Sequence, residues 1–355
     1  MLPKSTTDIS GFLVPLNKEG IAMKFMMQSC LMVKDAVCDG GSKMLEGFKS
    51  PLSAAAYDKC VDAGMEFVGL VTPFEFGTDS LFCACPDKDE AIDALLGGKC
   101  DVVLCNDVYG KMSRMAAVNG LYYIAGAYGT VSRFGIMQTV SSTDRVGVLC
   151  KCAEDGIKVL ETISGKDEKD GSMLDTAKYD YCAKCDNVKA VKFEDVEMKY
   201  FDLLPAVFYT LATAELCNNT NRYDGVKFGY RAPDVKDLND LYLRSRTEGL
   251  GKDIQIASMV GCMVLAKENY EKWYYKAMQL RRMIRDYYSA MLDDADVLVI
   301  PAKCDCGDKF RQVAFYALAP LCGFASVSAT VDGKAVQLIT KRGKENAMFS
   351  MIREG

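Results

Sequence analysis

The run Ala125-Gly126-Ala127-Tyr128-Gly129-Thr130-Val131-Ser132-Arg133-Phe134-Gly135, continued by Ser141-Ser142-Thr143-Asp144-Arg145-Val146-Gly147, organises the chain. Its first half is a glycine-punctuated loop. Its second half enters a short apolar segment, Val146 to Cys150, which reads as a buried strand. A helical pattern begins near Ala153 and stops at Gly165. Loop, strand and helix in that order form one unit of an α/β sheet.

The same alternation extends outward. Ile21 to Met27 is apolar apart from Lys24 and predicts a buried strand. Ser50-Pro51-Leu52-Ser53 opens a helix through Ala63, with Gly64 at its end, and Met65 to Val71 forms the next strand. A helix from Asp89 to Leu96, the Gly97-Gly98 stop and a strand at Asp101 to Leu104 repeat the pattern. Toward the C-terminus one long helix is expected from Leu265 to Leu292. Trp273, Ala277, Leu280, Ile284, Tyr287 and Met291 recur there at three- and four-residue steps, a core stripe rather than a cofactor box. Val297 to Pro301 is a strand, and Asp332-Gly333-Lys334 links Ser326–Val331 to Ala335–Lys341 as a hairpin. Lys166 to Lys192 is polar and is expected to be a surface excursion.

Composition narrows the function. The net charge is −5 and half the residues are apolar, which argues against autonomous nucleic-acid binding. No apolar run reaches the length of a membrane span, and residues 1–20 lack the pattern of a signal peptide. A cytoplasmic protein is expected. The chain has no histidine, which excludes Ser-His-Asp and Cys-His chemistry. Its 16 cysteines are spread along the chain and, without a secretory signal, are expected to be reduced.

Several stretches together resemble the amidase signature family, most closely the A subunits of tRNA-dependent amidotransferases. The Tyr128–Gly135 run resembles the family's Tyr-Gly-x-Val-Ser-Arg-Tyr-Gly. Ser42–Glu46, Pro73–Gly77, Asn221–Arg231, Arg246–Gly251 and Leu321–Ser328 resemble further family blocks in the same order. The resemblance implies a mixed central sheet with helices on both faces. It implies a single domain over 21–355 after a lead-in at 1–20, with a shortened excursion around 166–215.

The family hydrolyses amides with a Ser–cis-Ser–Lys triad, in which lysine acts as base through the bridging serine. Ile21-Ala22-Met23-Lys24 resembles the segment that supplies the lysine, so Lys24 is its expected counterpart. Counted back from Tyr128-Gly129, the nucleophile position falls on Lys111 and the bridging-serine position on Asp87. Of the two groups that hold glutamine's charged ends in some members, Arg246 matches the arginine and Val313 takes the aspartate position. A lysine is a poor nucleophile at neutral pH, and an acylated lysine is as inert as the amide it came from. The expected role of Asp87 is an ion pair with Lys24 or Lys111.

The resulting expectation is an amidase-like pseudoenzyme, a relative of the amidotransferase A subunits that serves in binding or assembly. The alternative is an active amidohydrolase or glutamine amidotransferase subunit with a non-standard nucleophile; Cys105 and Cys217 are the cysteines to weigh. The resemblance implies partners of the amidotransferase-subunit kind and a small amide as ligand; one aspartate between Lys24 and Lys111 leaves a surplus positive charge, which makes an anion the other ligand to expect, and no cofactor is assigned. Cys182-Ala183-Lys184-Cys185 and the pairs Cys83/Cys85, Cys150/Cys152 and Cys304/Cys306 remain open between incidental thiols and part of a metal site. A structural zinc needs four ligands and each pair supplies only two, so no metal is assigned.

Overall fold

The computed structural model describes residues 22–79, 89–174, 179–302 and 308–354. Among them are nine strands: β1 (Lys24–Gln28), β2 (Glu66–Val71), β3 (Val102–Asn106), β4 (Tyr122–Ala125), β5 (Val146–Cys150), β6 (Ala190–Lys192), β7 (Val297–Pro301), β8 (Ala325–Val331) and β9 (Lys334–Thr340). They form one sheet in the order β2-β1-β3-β5-β4-β8-β9-β7-β6. β1 is parallel to β2 and β3, whereas β5 runs antiparallel to β3 and β4, so the sheet is mixed.

Side chains alternate across a strand, and here both sets are apolar. Phe25, Met27, Val102, Leu104, Val146 and Val148 enter one core cluster; Met26, Val103, Cys105 and Leu149 enter another on the opposite face. The first cluster is closed by residues of α1 (Ala55–Asp62), α4 (Ala153–Ile163) and α5 (Leu204–Thr220). The second is closed by α2 (Glu90–Leu96) and α3 (Lys111–Val118). The expected two-faced α/β architecture is therefore present. The chain continues through α6 (Leu238–Gly249), α7 (Lys252–Leu265), α8 (Lys267–Tyr270), α9 (Lys276–Asp294), α10 (Lys309–Gln312), α11 (Ala314–Cys322) and α12 (Glu345–Glu354). Among the described residues, no helix is long and apolar enough to cross a membrane.

Two local expectations are corrected and one is met. The first helix begins at Ala55, not Ser50, because Ser50 Oγ closes a tight turn with Leu52 and Ala54 is extended. The hairpin forms as expected, with Asp332 and Gly333 both at positive φ (50° and 72°), as a type I′ turn requires. The long helix runs without a gap from 267 to 294, but its α repeat is interrupted. Ala266, with ψ 142, separates it from α7, and a π-helical turn lies within it at Glu271–Tyr275. A π turn inserts a residue into the α repeat and rotates everything after it. The buried face of α9 is consequently Ala277, Ile284, Tyr288 and Leu292, while Trp273 is 40% exposed.

Candidate active site

In a parallel pair the two strands start at one edge and end at the other. Lys24 lies at the starting edge: its N–H donates to Asp101 Oδ2 (2.7 Å), and its carbonyl accepts from Asp101 N (2.9 Å). Lys111 follows the opposite end of β3. Four residues of extended strand separate the two edges by roughly 13 Å. The Lys24 ammonium is 4.0 Å from Glu66 and its side chain is 47% exposed. Lys24 is thus a surface residue at the wrong edge to serve position 111. The β1 residue at the right edge is Gln28, which is buried and accepts from Asn106 N through Oε1 (3.0 Å). A strand reading that ends at Met27 stops one residue short of it.

Lys111 opens α3. Gly110 before it holds φ +82, and a Cβ there would sit 2.5 Å from Tyr316 Cβ, so only glycine fits this turn. A cation in the first turn of a helix opposes the helix dipole. Two carboxylates offset it. Asp107 accepts from Met112 N, Ser113 N and Ser113 Oγ (2.9, 2.9 and 2.7 Å). Asp89 Oδ2 lies 2.9 Å from Lys111 Nζ, with the two side chains 2% and 5% exposed, and Phe74 lies under the ammonium at 5.6 Å. Asp89 also caps α2 by accepting from Ala91 N, which fixes its position. Asp89 thus pairs with Lys111; Asp87, of which an ion pair with Lys24 or Lys111 is expected, lies outside the described residues.

Behind this pair is a second buried knot. Asp144 accepts from Asn106 Nδ2 (3.1 Å), Thr139 N (2.8 Å) and Val140 N (3.0 Å), while Asn106 Oδ1 accepts from Arg145 N (3.2 Å). Arg145 donates onward to Phe324 O and Ser326 Oγ, tying the end of β3 to the start of β8. Burial pushes the carboxyls of Asp107 and Asp144 up, against the hydrogen bonds that pull them down. Asn106 does not stand out in the sequence as a site residue, because its partners are remote or main-chain.

The glycine loop is held from outside. Arg133 pairs with Asp170 (Nε to Oδ2 3.3 Å), stacks on Tyr128 at 4.9 Å and donates to Ser141 O; Ser132 donates to Asp167 (2.6 Å). Burial works against charge on Asp170, but donors from Arg133 and Ser172 outweigh it and hold the carboxyl at about 2, below its ordinary 3.8. A depressed carboxyl adds stability that is present above the unfolded value and is lost as pH falls through the folded one. Asp170→Asn is thus expected to lose about 1 kcal/mol at pH 7, solvent screening discounted. Its urea midpoint should also change less than the wild-type midpoint between pH 4 and pH 2. Parallel acid limbs in the two proteins would contradict this.

The remaining expected residues are placed as follows. Arg246 spends Nη1 on the carbonyls of Thr220 and Tyr223 (2.9 Å each), steadying the end of α5, and Val313 is buried. Cys105 is fully buried, which drives its thiol well above the ordinary value. Cys217 is pushed up to about 12 by burial and by Cys262, whose Sγ lies 3.3 Å away. Both are poor sources of thiolate. Among the described residues no three acidic or thiol side chains gather as a metal site; Cys83, Cys85, Cys304 and Cys306 lie outside them.

The geometry can now be set beside known proteins. Residues 180–314 match the amidase family. The glutamyl-tRNA(Gln) amidotransferase A subunit of Coxiella burnetii is 30% identical over 319 aligned positions, covering 76% of this chain and 66% of that protein. The chain belongs to the amidase signature family. The Campylobacter curvus A subunit is 28% identical, covering 90% of this chain and 81% of its own length. Against the Coxiella protein the chain spans just under two thirds of the relative's length. The A subunit structure from Thermotoga maritima superposes with a TM-score of 0.69 at 21% identity, covering 94% of this chain and 82% of that one. The peptide amidase of Stenotrophomonas maltophilia gives 0.70 at 19% identity, covering 93% and 81%. At these identities the structures establish a shared amidase-signature fold. In this chain the Lys111 position is occupied by a buried, ion-paired ammonium.

Proposed function

We propose that this amidase-signature chain is a catalytically silent relative of the amidotransferase A subunits that works in binding or assembly. The observation carrying the reading is the 2.9 Å pair between Lys111 and Asp89, closed off from solvent. An ammonium held by a carboxylate has no lone pair with which to attack a carbonyl. Gln28, at the β1 edge that faces this loop, has no basic group to relieve it of a proton. The partner would be another subunit of the amidotransferase kind. α7 exposes Met259 and Met263 one turn apart, and the segment after it exposes Tyr270, Trp273, Tyr275 and Met278, an apolar surface of the sort that subunits cover.

The test is ammonia release from glutamine, asparagine and simple amides by the purified protein, alone and with whatever co-purifies from its own cells. The expected result is no release above a heat-killed control. Release that disappears in Lys111→Ala would make position 111 catalytic and overturn the reading. Release that survives that change would overturn it equally and place the nucleophile elsewhere.

A further inference from the structure

A cleft of 370 Å³ opens where Phe48, Ile136, Met137 and Phe228 converge. Its size falls in the range of small-molecule sites, which are mostly apolar with a few polar groups that fix orientation. Here those groups are Arg222 and Gln138. Neither Lys111 nor Arg246 lines the cleft.

The walls are built rather than loose. Tyr223 stacks on Phe76 (centroids 5.2 Å apart, planes 10° apart), and Phe228 meets Tyr223 edge-on at 5.9 Å. Arg222 is anchored along one edge of its guanidinium: Nε donates to Asn219 O (2.8 Å), and Nη2 reaches Asn219 Oδ1 (3.3 Å) and Gln138 Oε1 (3.4 Å). Every one of these acceptors is neutral. Among the described residues no carboxylate pairs with Arg222, which is exposed, so an anchored, solvent-facing cation stands at the rim of a largely apolar cleft.

We propose that this cleft binds a small organic carboxylate with an apolar body, an aliphatic or aryl-alkyl acid, with its carboxylate on Arg222 and its hydrocarbon against Phe48, Ile136, Met137 and Phe228. Arginine suits the role because these contacts leave the Nη1 N–H donors for a charge-assisted bond to a carboxylate, and the anchored Nε edge means that less freedom is lost on binding. The hydrocarbon supplies affinity by leaving water, and the guanidinium supplies the preference for an acid over its neutral relatives. This site works whether or not the chain hydrolyses amides.

Hexanoate and 3-phenylpropanoate are titrated into the full-length protein by calorimetry, beside hexanamide and 3-phenylpropan-1-ol. The acids are expected to bind about tenfold more tightly than the neutral compounds, the margin of a partly exposed charge-assisted contact. In Arg222→Gln that margin should vanish, with the neutral compounds unaffected. Equal binding of acids and neutral compounds to the wild-type protein, or no binding of the acids at millimolar concentration, would overturn the proposal. That comparison needs no variant, so it decides the matter even where Arg222→Gln folds poorly. An acid preference that persists in a folded Arg222→Gln would overturn it too.

Discussion

Lys111→Met lowers the stability of the protein by about 3–5 kcal/mol, seen as a lower urea midpoint with an unchanged slope. Methionine matches the length of the lysine and fills its space, so little of the loss comes from packing. The loss comes from Asp89, a carboxylate left at 2% exposure after its partner has gone. If that account holds, a second change should repair most of the damage. Asp89→Asn in the Lys111→Met background removes the stranded charge and keeps an oxygen to cap α2 at Ala91 N. The double variant is expected within about 1–2 kcal/mol of wild type. A single variant within about 1 kcal/mol of wild type would mean that the pair is solvated and that the site is open. That outcome would also weaken the case for catalytic silence, since an accessible lysine can lose its proton.

How far the sequence anticipates this site depends on what kind of contact is at issue. The position of Lys111 follows from counting along one continuous stretch, Asp107 to Gly129, and the structure puts it at the start of α3 at the end of the sheet. The helix starting at Asp89 is also legible, and an aspartate at a helix start is a cap with a fixed location. That signal fixes where Asp89 sits, and the structure pairs it with Lys111; Asp87, on which the block count places the weight, lies outside the described residues. Lys24 is misassigned from sequence for a geometric reason. Its assignment rests on a four-residue match, Ile21 to Lys24, and such a match does not say at which edge of the sheet the lysine falls; the end of β1 nearer Lys111 carries Gln28. Trp273 is assigned to the core from sequence because a π turn is invisible to a period-3.6 reading. The Asp144 contacts span long separations, 38 residues to Asn106, and nothing local marks them.

Asp144 itself gives the second large effect. Asp144→Ala strands three buried donors, Asn106 Nδ2, Thr139 N and Val140 N, and should cost about 3 kcal/mol or more. Asn is a sharper probe than Ala. In Asp144→Asn one oxygen still accepts from the main chain, but the new amide N–H₂ opposes that of Asn106, and about 2 kcal/mol should be lost. Asn106→Asp alone is worse, because it sets two carboxylates face to face in a buried setting. Combined, the exchange restores complementarity: the carboxylate now on β3 would accept from the amide now at position 144 and still accept from Arg145 N, as Asn106 Oδ1 does in the wild type. The double-mutant cycle should therefore show a coupling of about 2 kcal/mol in favour of the swapped pair. Additive losses would mean that the two side chains do not interact as a donor–acceptor pair. The knot also joins β3, β5 and β8 at the edge that carries Lys111, so the swap tests the mount of the site apart from its chemistry. A repaired variant that keeps the Lys111→Met penalty intact would show that the buried pair and its mount are separable.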